Sequence, residues 1–228
     1  MNTRTSYPPQ KGTFYEKMST RPTTVVFDMD GVLCHYHFEK RLSCLSKMTG
    51  IAPEAINEVI WEQGFDEDAD GGRYTADEYH RLFCKRLGVT VSKQQWLEAR
   101  AVSMQPNQQV LHMARQVKQR ATLALLTNNG PLLKESIGEV FPEVVEIFGE
   151  RTYFSYEFAA AKPDPQVFVH LLKRLQVKPW ETLFIDDTES YIEGAAMAGL
   201  LCHQFRTASE LRLVLDGLLA ACVDSELD

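Results

Sequence analysis

Apolar runs and amphipathic stretches alternate along most of this chain, and one long interruption breaks the rhythm. Val25-Val26-Phe27 is β-branched and aromatic and runs into Asp28-Met29-Asp30-Gly31, which predicts a buried strand with a turn at the glycine. The spacing then becomes helical, with helices predicted over 36–48, 53–63, 75–87 and 92–103. Thr75-Ala76-Asp77-Glu78 and Ser92-Lys93-Gln94-Gln95 read as capping boxes, and Gly50 and Gly88 as helix stops.

From Asn107 the strand–helix alternation resumes. A helix is predicted over 107–119, a strand over 121–126 and a helix around 131–140. Weaker strand signals lie at 144–147 and 152–155. Asp164 and Pro165 cap and open a helix over 165–175. A strand at 182–186, a helix at 190–198, a strand at 200–205 and a helix at 208–221 close the series. The fold class expected is α/β: a doubly wound, mainly parallel, Rossmann-like sheet with a four-helix insertion after its first strand. The expected division is a tail over 1–22, a core from 23–35 and 105–222, the helical insertion over 36–104, and a second tail over 223–228. Hinges are expected near Cys34–Tyr36 and Ser103–Asn107.

A chain of 228 residues, 44% of them hydrophobic, can bury a sizeable core. No apolar stretch approaches the length of a membrane span, and the polar residues 1–22 do not resemble a signal peptide, although Met18 offers an alternative start. A net charge of −7 with scattered basic residues argues against a nucleic-acid partner. Five cysteines, odd in number and without a Cys-x-x-Cys pair, suit reduced thiols and a cytoplasmic setting. None is followed six residues later by arginine, which excludes a cysteine-phosphatase loop and leaves aspartate as the nucleophile for any phosphoryl chemistry.

Two carboxylates at a strand's carboxyl end occupy the position where open parallel sheets bind ligands. Other chemistry follows in order: Thr127-Asn128-Asn129 closes one apolar run, Lys162-Pro163-Asp164-Pro165 opens a helix, and Asp186-Asp187 ends Leu183-Phe184-Ile185. This series resembles the haloacid dehalogenase-like hydrolase superfamily, which consists mostly of phosphatases, from about Thr24 to near Leu219. The resemblance implies that the helical insertion is a cap, that Asp28 is a nucleophile forming an aspartyl-phosphate, and that Asp30 is the general acid and base. It further implies that Thr127 and Asn128 donate to phosphoryl oxygens, that Lys162 neutralises Asp28 and phosphate, and that Asp186 and Asp187 hold the metal with Asp28 and the Asp30 carbonyl. Where many relatives carry Gly-Asp and a second Asp four residues on, this chain has Asp186-Asp187 and then Tyr191.

Four converging carboxylates with one local lysine call for a divalent cation, and hard oxygen ligands beside a phosphate select Mg2+. An acid at Asp30 suits a phosphate ester, whose alkoxide leaving group needs a proton, better than a halide. The expectation is a magnesium-dependent phosphomonoester hydrolase acting on a small phosphorylated metabolite, as a monomer or homodimer without a nucleic-acid or membrane partner. The alternatives are a sugar-phosphate mutase, or a non-catalytic phosphate- or calcium-binding regulator.

Asp66-Glu67-Asp68-Ala69-Asp70-Gly71 matches the start of an EF-hand loop, but the twelfth position is Asp77 and the eighth Arg73, so an acidic surface loop is expected. Gly71-Gly72-Arg73 as a turn facing the core would make Arg73 a substrate contact. His35-Tyr36-His37 lacks further ligands at zinc spacing and is expected to line the pocket or simply to pack.

Overall fold

A computed structural model describes residues 22–220; of the predicted tails 1–22 and 223–228, residues 1–21, with Met18, and all of 223–228 lie outside the described residues. Five parallel strands form the central sheet in the order β5-β4-β1-β6-β7: β1 (Thr24–Phe27), β4 (Thr122–Thr127), β5 (Thr152–Phe154), β6 (Thr182–Asp186) and β7 (Leu201–Gln204). The register pairs Phe27 with Leu125 on one side and with Ile185 on the other. The ends of β1, β4 and β6 therefore lie side by side.

The apolar runs are continuous because helices cover both faces of the sheet. Val25, Phe27, Leu123, Leu125, Leu183 and Ile185 face a core closed by α6 (Gln108–Lys118), α8 (Pro142–Phe148) and α11 (Ala208–Ala220). Val26, Ala124, Leu126 and Phe184 face the opposite core with α9 (Pro165–Leu175) and α10 (Glu189–Met197). Beyond β4 lies α7 (Pro131–Val140).

The weak strand predicted over 144–147 is α8. Pro142 opens this helix, and Val144, Ile147 and Phe148 are buried at helical spacing, so tertiary packing overrides the β-branched local preference.

Between residues 34 and 106 the chain leaves the sheet through β2 (Cys34–Tyr36) and returns through β3 (Met104–Pro106), which pair antiparallel at the two predicted hinges. Five helices lie between them: α1 (Phe38–Thr49), α2 (Pro53–Asn57), α3 (Phe65–Asp70), α4 (Ala76–Leu87) and α5 (Lys93–Ala101). A π-helical turn, Glu58–Glu62, continues α2. Both capping boxes are made, Thr75 with Glu78 and Ser92 with Gln95. The acidic loop expected at 66–71 is instead α3, which is short and starts from Gly64 in the left-handed conformation. Helices α4 and α5 pack against α7. Among the described residues no helix is long and apolar enough to cross a membrane.

Candidate active site

Asp28 continues β1 by one residue, its N–H donating to the Ile185 carbonyl at 2.9 Å, so its side chain emerges beside the end of β6. Lys162 Nζ donates to Asp28 Oδ1 at 2.8 Å and to Asp186 Oδ2 at 2.6 Å. All three side chains are buried. Burial works against the Lys162 ammonium, but the charges of Asp28 and Asp186 outweigh it and raise its pKa above the ordinary lysine value. Burial, with Asp186 beside it, pushes the Asp28 carboxyl well above its ordinary range despite Lys162. Asp187 is exposed and is also raised, by desolvation first and then by Asp186.

Asp28, Asp186 and Asp187 can each place one carboxylate oxygen within 4.8 Å of the others'. Three acids against one ammonium is a donor set suited to a hard divalent cation. It is the one such three-residue group among the described residues. Gly31 allows the turn to approach: its φ is +88°, and a Cβ there would fall 2.3 Å from Asp187 Oδ2.

The other expected residues divide. Thr127 ends β4 with its hydroxyl accepting from Asn129 Nδ2 at 2.8 Å. Asn128 reaches the site, but its side-chain amide is committed elsewhere: Nδ2 donates to the Lys162 carbonyl at 2.8 Å and Oδ1 accepts from the Lys162 N–H at 3.0 Å. Its side-chain amide thus fixes the lysine's backbone. Arg73 is not brought into the cluster; it is exposed and pairs with Asp68 at 2.5 Å. Of the EF-hand acids, Asp66 accepts from Trp61 Nε1 and from the Tyr79 hydroxyl, and Asp68 from Arg73 and Tyr74. These carboxylates lie on helix α3 and form no metal-holding group, so the calcium-loop reading falls. His35, Tyr36 and His37 lie on or just after β2, with His37 Nε2 3.2 Å from Gln105 Oε1.

Sequence reasoning missed two residues that hold Asp30. Arg100, from α5, is 1% exposed and places Nη2 2.5 Å from Asp30 Oδ2 and 3.2 Å from Asn129 Oδ1. Asn129 Nδ2 donates to the same Asp30 oxygen at 3.0 Å, and the Tyr36 ring lies 4.5 Å from the Arg100 guanidinium. Burial opposes the Asp30 carboxylate, but Arg100 and Asn129 outweigh it and lower its pKa. A signal for Arg100 exists in hindsight, because it follows Trp96 and Leu97 at positions that continue the apolar stripe of α5.

A buried carboxylate–lysine bridge with a third acid beside it, and a separately held aspartate, thus gather where β1 and β6 end side by side, with Lys162 reaching in from the segment before α9. The model of the haloacid dehalogenase-like hydrolases matches residues 22–199, and the chain belongs to this family as a phosphatase-type member. It is 24% identical over 206 residues to the D-ribitol-5-phosphate phosphatase of Bacteroides thetaiotaomicron, covering 86% of this chain and 97% of that protein. It is also 24% identical over 205 residues to the sesquiterpene phosphatase astK of Aspergillus oryzae, with the same coverage of 86% and 97%. A solved haloacid dehalogenase-family enzyme of Bacteroides thetaiotaomicron, in complex with magnesium and inorganic phosphate, shares the fold with a TM-score of 0.68 at 23% identity, covering 81% of this chain and 94% of that one.

Proposed function

We propose that the protein is a magnesium-dependent phosphomonoester hydrolase that works on a small phosphorylated metabolite through an aspartyl-phosphate on Asp28. The observation that carries this reading is the buried Lys162 bridge between Asp28 and Asp186, with Asp187 alongside. An Asp28 oxygen bonds to phosphorus as the bond from phosphorus to the leaving oxygen breaks, and Asp30 supplies that oxygen's proton. Water then attacks phosphorus, Asp30 takes the water's proton, and inorganic phosphate leaves a free Asp28 carboxylate. Asp30 enters the first step protonated; Arg100 beside it draws its pKa down, which favours giving that proton to the leaving oxygen and leaves the carboxylate that then takes the proton from water.

Lys162 holds Asp28 in place and offsets charge on the phosphoryl group, to which Thr127 donates its hydroxyl. Asn128 acts through Lys162, whose backbone it clasps. Asp28, Asp186 and Asp187, with the Asp30 carbonyl, would hold magnesium, which when bound supplies the positive charge that this acidic cluster and a phosphate dianion require. The helical segment between β2 and β3 acts as the cap. The relatives' names span a sugar-alcohol phosphate and a terpenoid phosphate, so the names leave the leaving group open.

Turnover of p-nitrophenyl phosphate with release of inorganic phosphate tests this. Activity that chelation abolishes and Asp28→Asn removes supports it. Activity retained in Asp28→Asn rejects the nucleophile, and phosphate transfer to a second substrate without release of inorganic phosphate rejects the hydrolase.

A further inference from the structure

We propose that Arg100 and Asn129 are positioning residues that hold Asp30 by one carboxyl oxygen, Oδ2, so that the other, Oδ1, gives the proton to the leaving group and takes one from water. This deepens the phosphatase reading above and rests on it.

The assignment follows from counting hydrogens. Arg100 Nη2 carries two: one goes to Asp30 Oδ2 at 2.5 Å and one to Asn129 Oδ1 at 3.2 Å. Asn129 Nδ2 also carries two: one goes to the same Asp30 Oδ2 at 3.0 Å and one to the Thr127 hydroxyl oxygen at 2.8 Å. These partners set the orientation of the amide, because turning it over would aim its NH2 at the guanidinium and its carbonyl at the carboxylate. Asp30 Oδ2 thus receives two N–H donors, one for each lone pair, and has no place for a proton of its own.

The other oxygen is held loosely. Among the described residues, Oδ1 has the Cys34 thiol as its donor at 3.5 Å, and that thiol has a second acceptor in the Met29 carbonyl at 3.7 Å. A thiol is a weak donor, so it turns to Met29 when Oδ1 is protonated and back when it is not. The Asp30 side chain is 23% exposed, whereas that of Arg100 is 1% exposed. The oxygen bound to the buried arginine is Oδ2, which leaves the open side of the carboxyl to Oδ1. In the first step the Oδ1–H bond breaks and its hydrogen joins the leaving oxygen, which takes the electron pair of its bond to phosphorus. In the second, the oxygen of water bonds to phosphorus, its proton goes to Oδ1, and the pair of the broken phosphorus–oxygen bond returns to Asp28.

The holders are themselves fixed. Ser103 Oγ donates to the Arg100 carbonyl at 2.6 Å, and the Tyr36 ring lies 4.5 Å from the guanidinium. Arg100 is near the end of α5 and Tyr36 ends β2, so the clamp stands where the helical segment joins the sheet. Buried, with both hydrogens of Nη2 engaged, Arg100 acts on the reaction through Asp30. A positioned general acid is worth about 10²–10⁴-fold, and misplacing a reacting group by about 1 Å forfeits about 10²-fold.

Need for the proton grades with the leaving group: phenolate needs it most, 4-nitrophenolate less and 2,4-dinitrophenolate least. The test therefore compares phenyl phosphate, p-nitrophenyl phosphate and 2,4-dinitrophenyl phosphate by kcat/KM, which reports the step in which the leaving group departs. The ratio of 2,4-dinitrophenyl phosphate to phenyl phosphate should rise by about tenfold or more in Arg100→Met and in Asn129→Ala, in the same direction as in Asp30→Asn, which sets the scale. Partial unfolding, or loss of the Asn129 bond to Thr127, lowers all three substrates together and leaves the ratio where it was. Thermal unfolding checks the fold, and if Arg100→Met does not fold, Asn129→Ala decides. A crystal structure of Asp30→Asn tests the choice of oxygen: Arg100 and Asn129 should still donate to the position of Oδ2, now a carbonyl, and an Arg100 swung away from it overturns that choice. A ratio unmoved in a folded variant, while Asp30→Asn moves it, overturns the proposal. A parent that hydrolyses none of the three overturns the phosphatase reading, an unmoved ratio in Asp30→Asn removes Asp30 as the acid, and this inference falls with either.

Discussion

Replacing Lys162 by methionine isolates the charge at the centre of the site. The stem lies 5.4 Å from the Phe184 ring and 4.8 Å from that of Tyr191 at its ammonium end, so methionine keeps most of the packing and loses the cation. Two buried carboxylates, at 2.8 Å and 2.6 Å in the parent, then face each other without a counter-charge. Breaking a buried ion pair by removing one partner costs about 3–5 kcal/mol. For a chain of this size a loss of about 3 kcal/mol lowers Tm by about 6–12 °C. The sign of the pH dependence follows from Asp28, whose carboxyl is already raised in the folded state. A group raised on folding contributes stability that is full below its unfolded pKa and is lost as pH rises through its folded pKa. Removing Lys162 raises Asp28 further, so the deficit should be larger at pH 8 than at pH 5, where the folded variant can take up a proton. Magnesium, binding only the folded form, should recover part of the loss. Urea unfolding at the two pH values, with m unchanged, measures this. A deficit under about 1 kcal/mol at pH 8, or one larger at pH 5, refutes the electrostatic account.

Gly31→Ala introduces a Cβ at a φ of +88° and 2.3 Å from Asp187 Oδ2, which should cost about 1–3 kcal/mol and weaken magnesium binding measured by calorimetry; unchanged affinity would mean that Asp187 is not a ligand. Arg100→Met removes the ion pair that lowers the Asp30 pKa. Because that carboxyl is lowered on folding, its stabilisation is present above the unfolded pKa and lost as pH falls through the folded one. The parent–variant gap should therefore be about 3 kcal/mol near neutrality and narrow toward pH 3, and a gap that widens there contradicts the assignment. Arg115→Ala breaks an ion pair with Glu146 at 2.8 Å on the surface, and the loss by thermal unfolding should stay within about 1 kcal/mol; a larger value would show that α6 and α8 depend on it.

How much of this could be read from the chain depends on the range over which each feature is decided. Strands β1, β4 and β6 are legible because burial on both faces makes them unbroken apolar runs, and the acids or threonine that end them fall at once on the ligand-binding edge of the sheet. Caps are decided within a few residues, which is why Thr75, Ser92 and Asp164 are where they were expected. Helix α8 misleads because its valines prefer strands locally, and only their burial against the sheet's neighbours makes them helical. Helix α3 misleads for a related reason: three acids look like a solvated loop until Trp61, Tyr79, Arg73 and Tyr74 are brought to two of them. The partners of Asp30 are harder still, since Arg100 is distant in sequence and meets it only when α5 lies over the end of β1. Yet Arg41 and Arg100 leave the same trace. Each is a cation set into an apolar stripe, Arg41 among Phe38, Leu42 and Leu45 and Arg100 after Trp96 and Leu97. A packed helix does not bury arginine at such a position without an anion, an aromatic face or a ligand to meet it. In this protein an anion and an aromatic face meet Arg100 as Asp30 and the Tyr36 ring, and Arg41 lies against the Trp61 and Trp96 rings with the Tyr36 hydroxyl as its acceptor and the charge of Asp66 nearby.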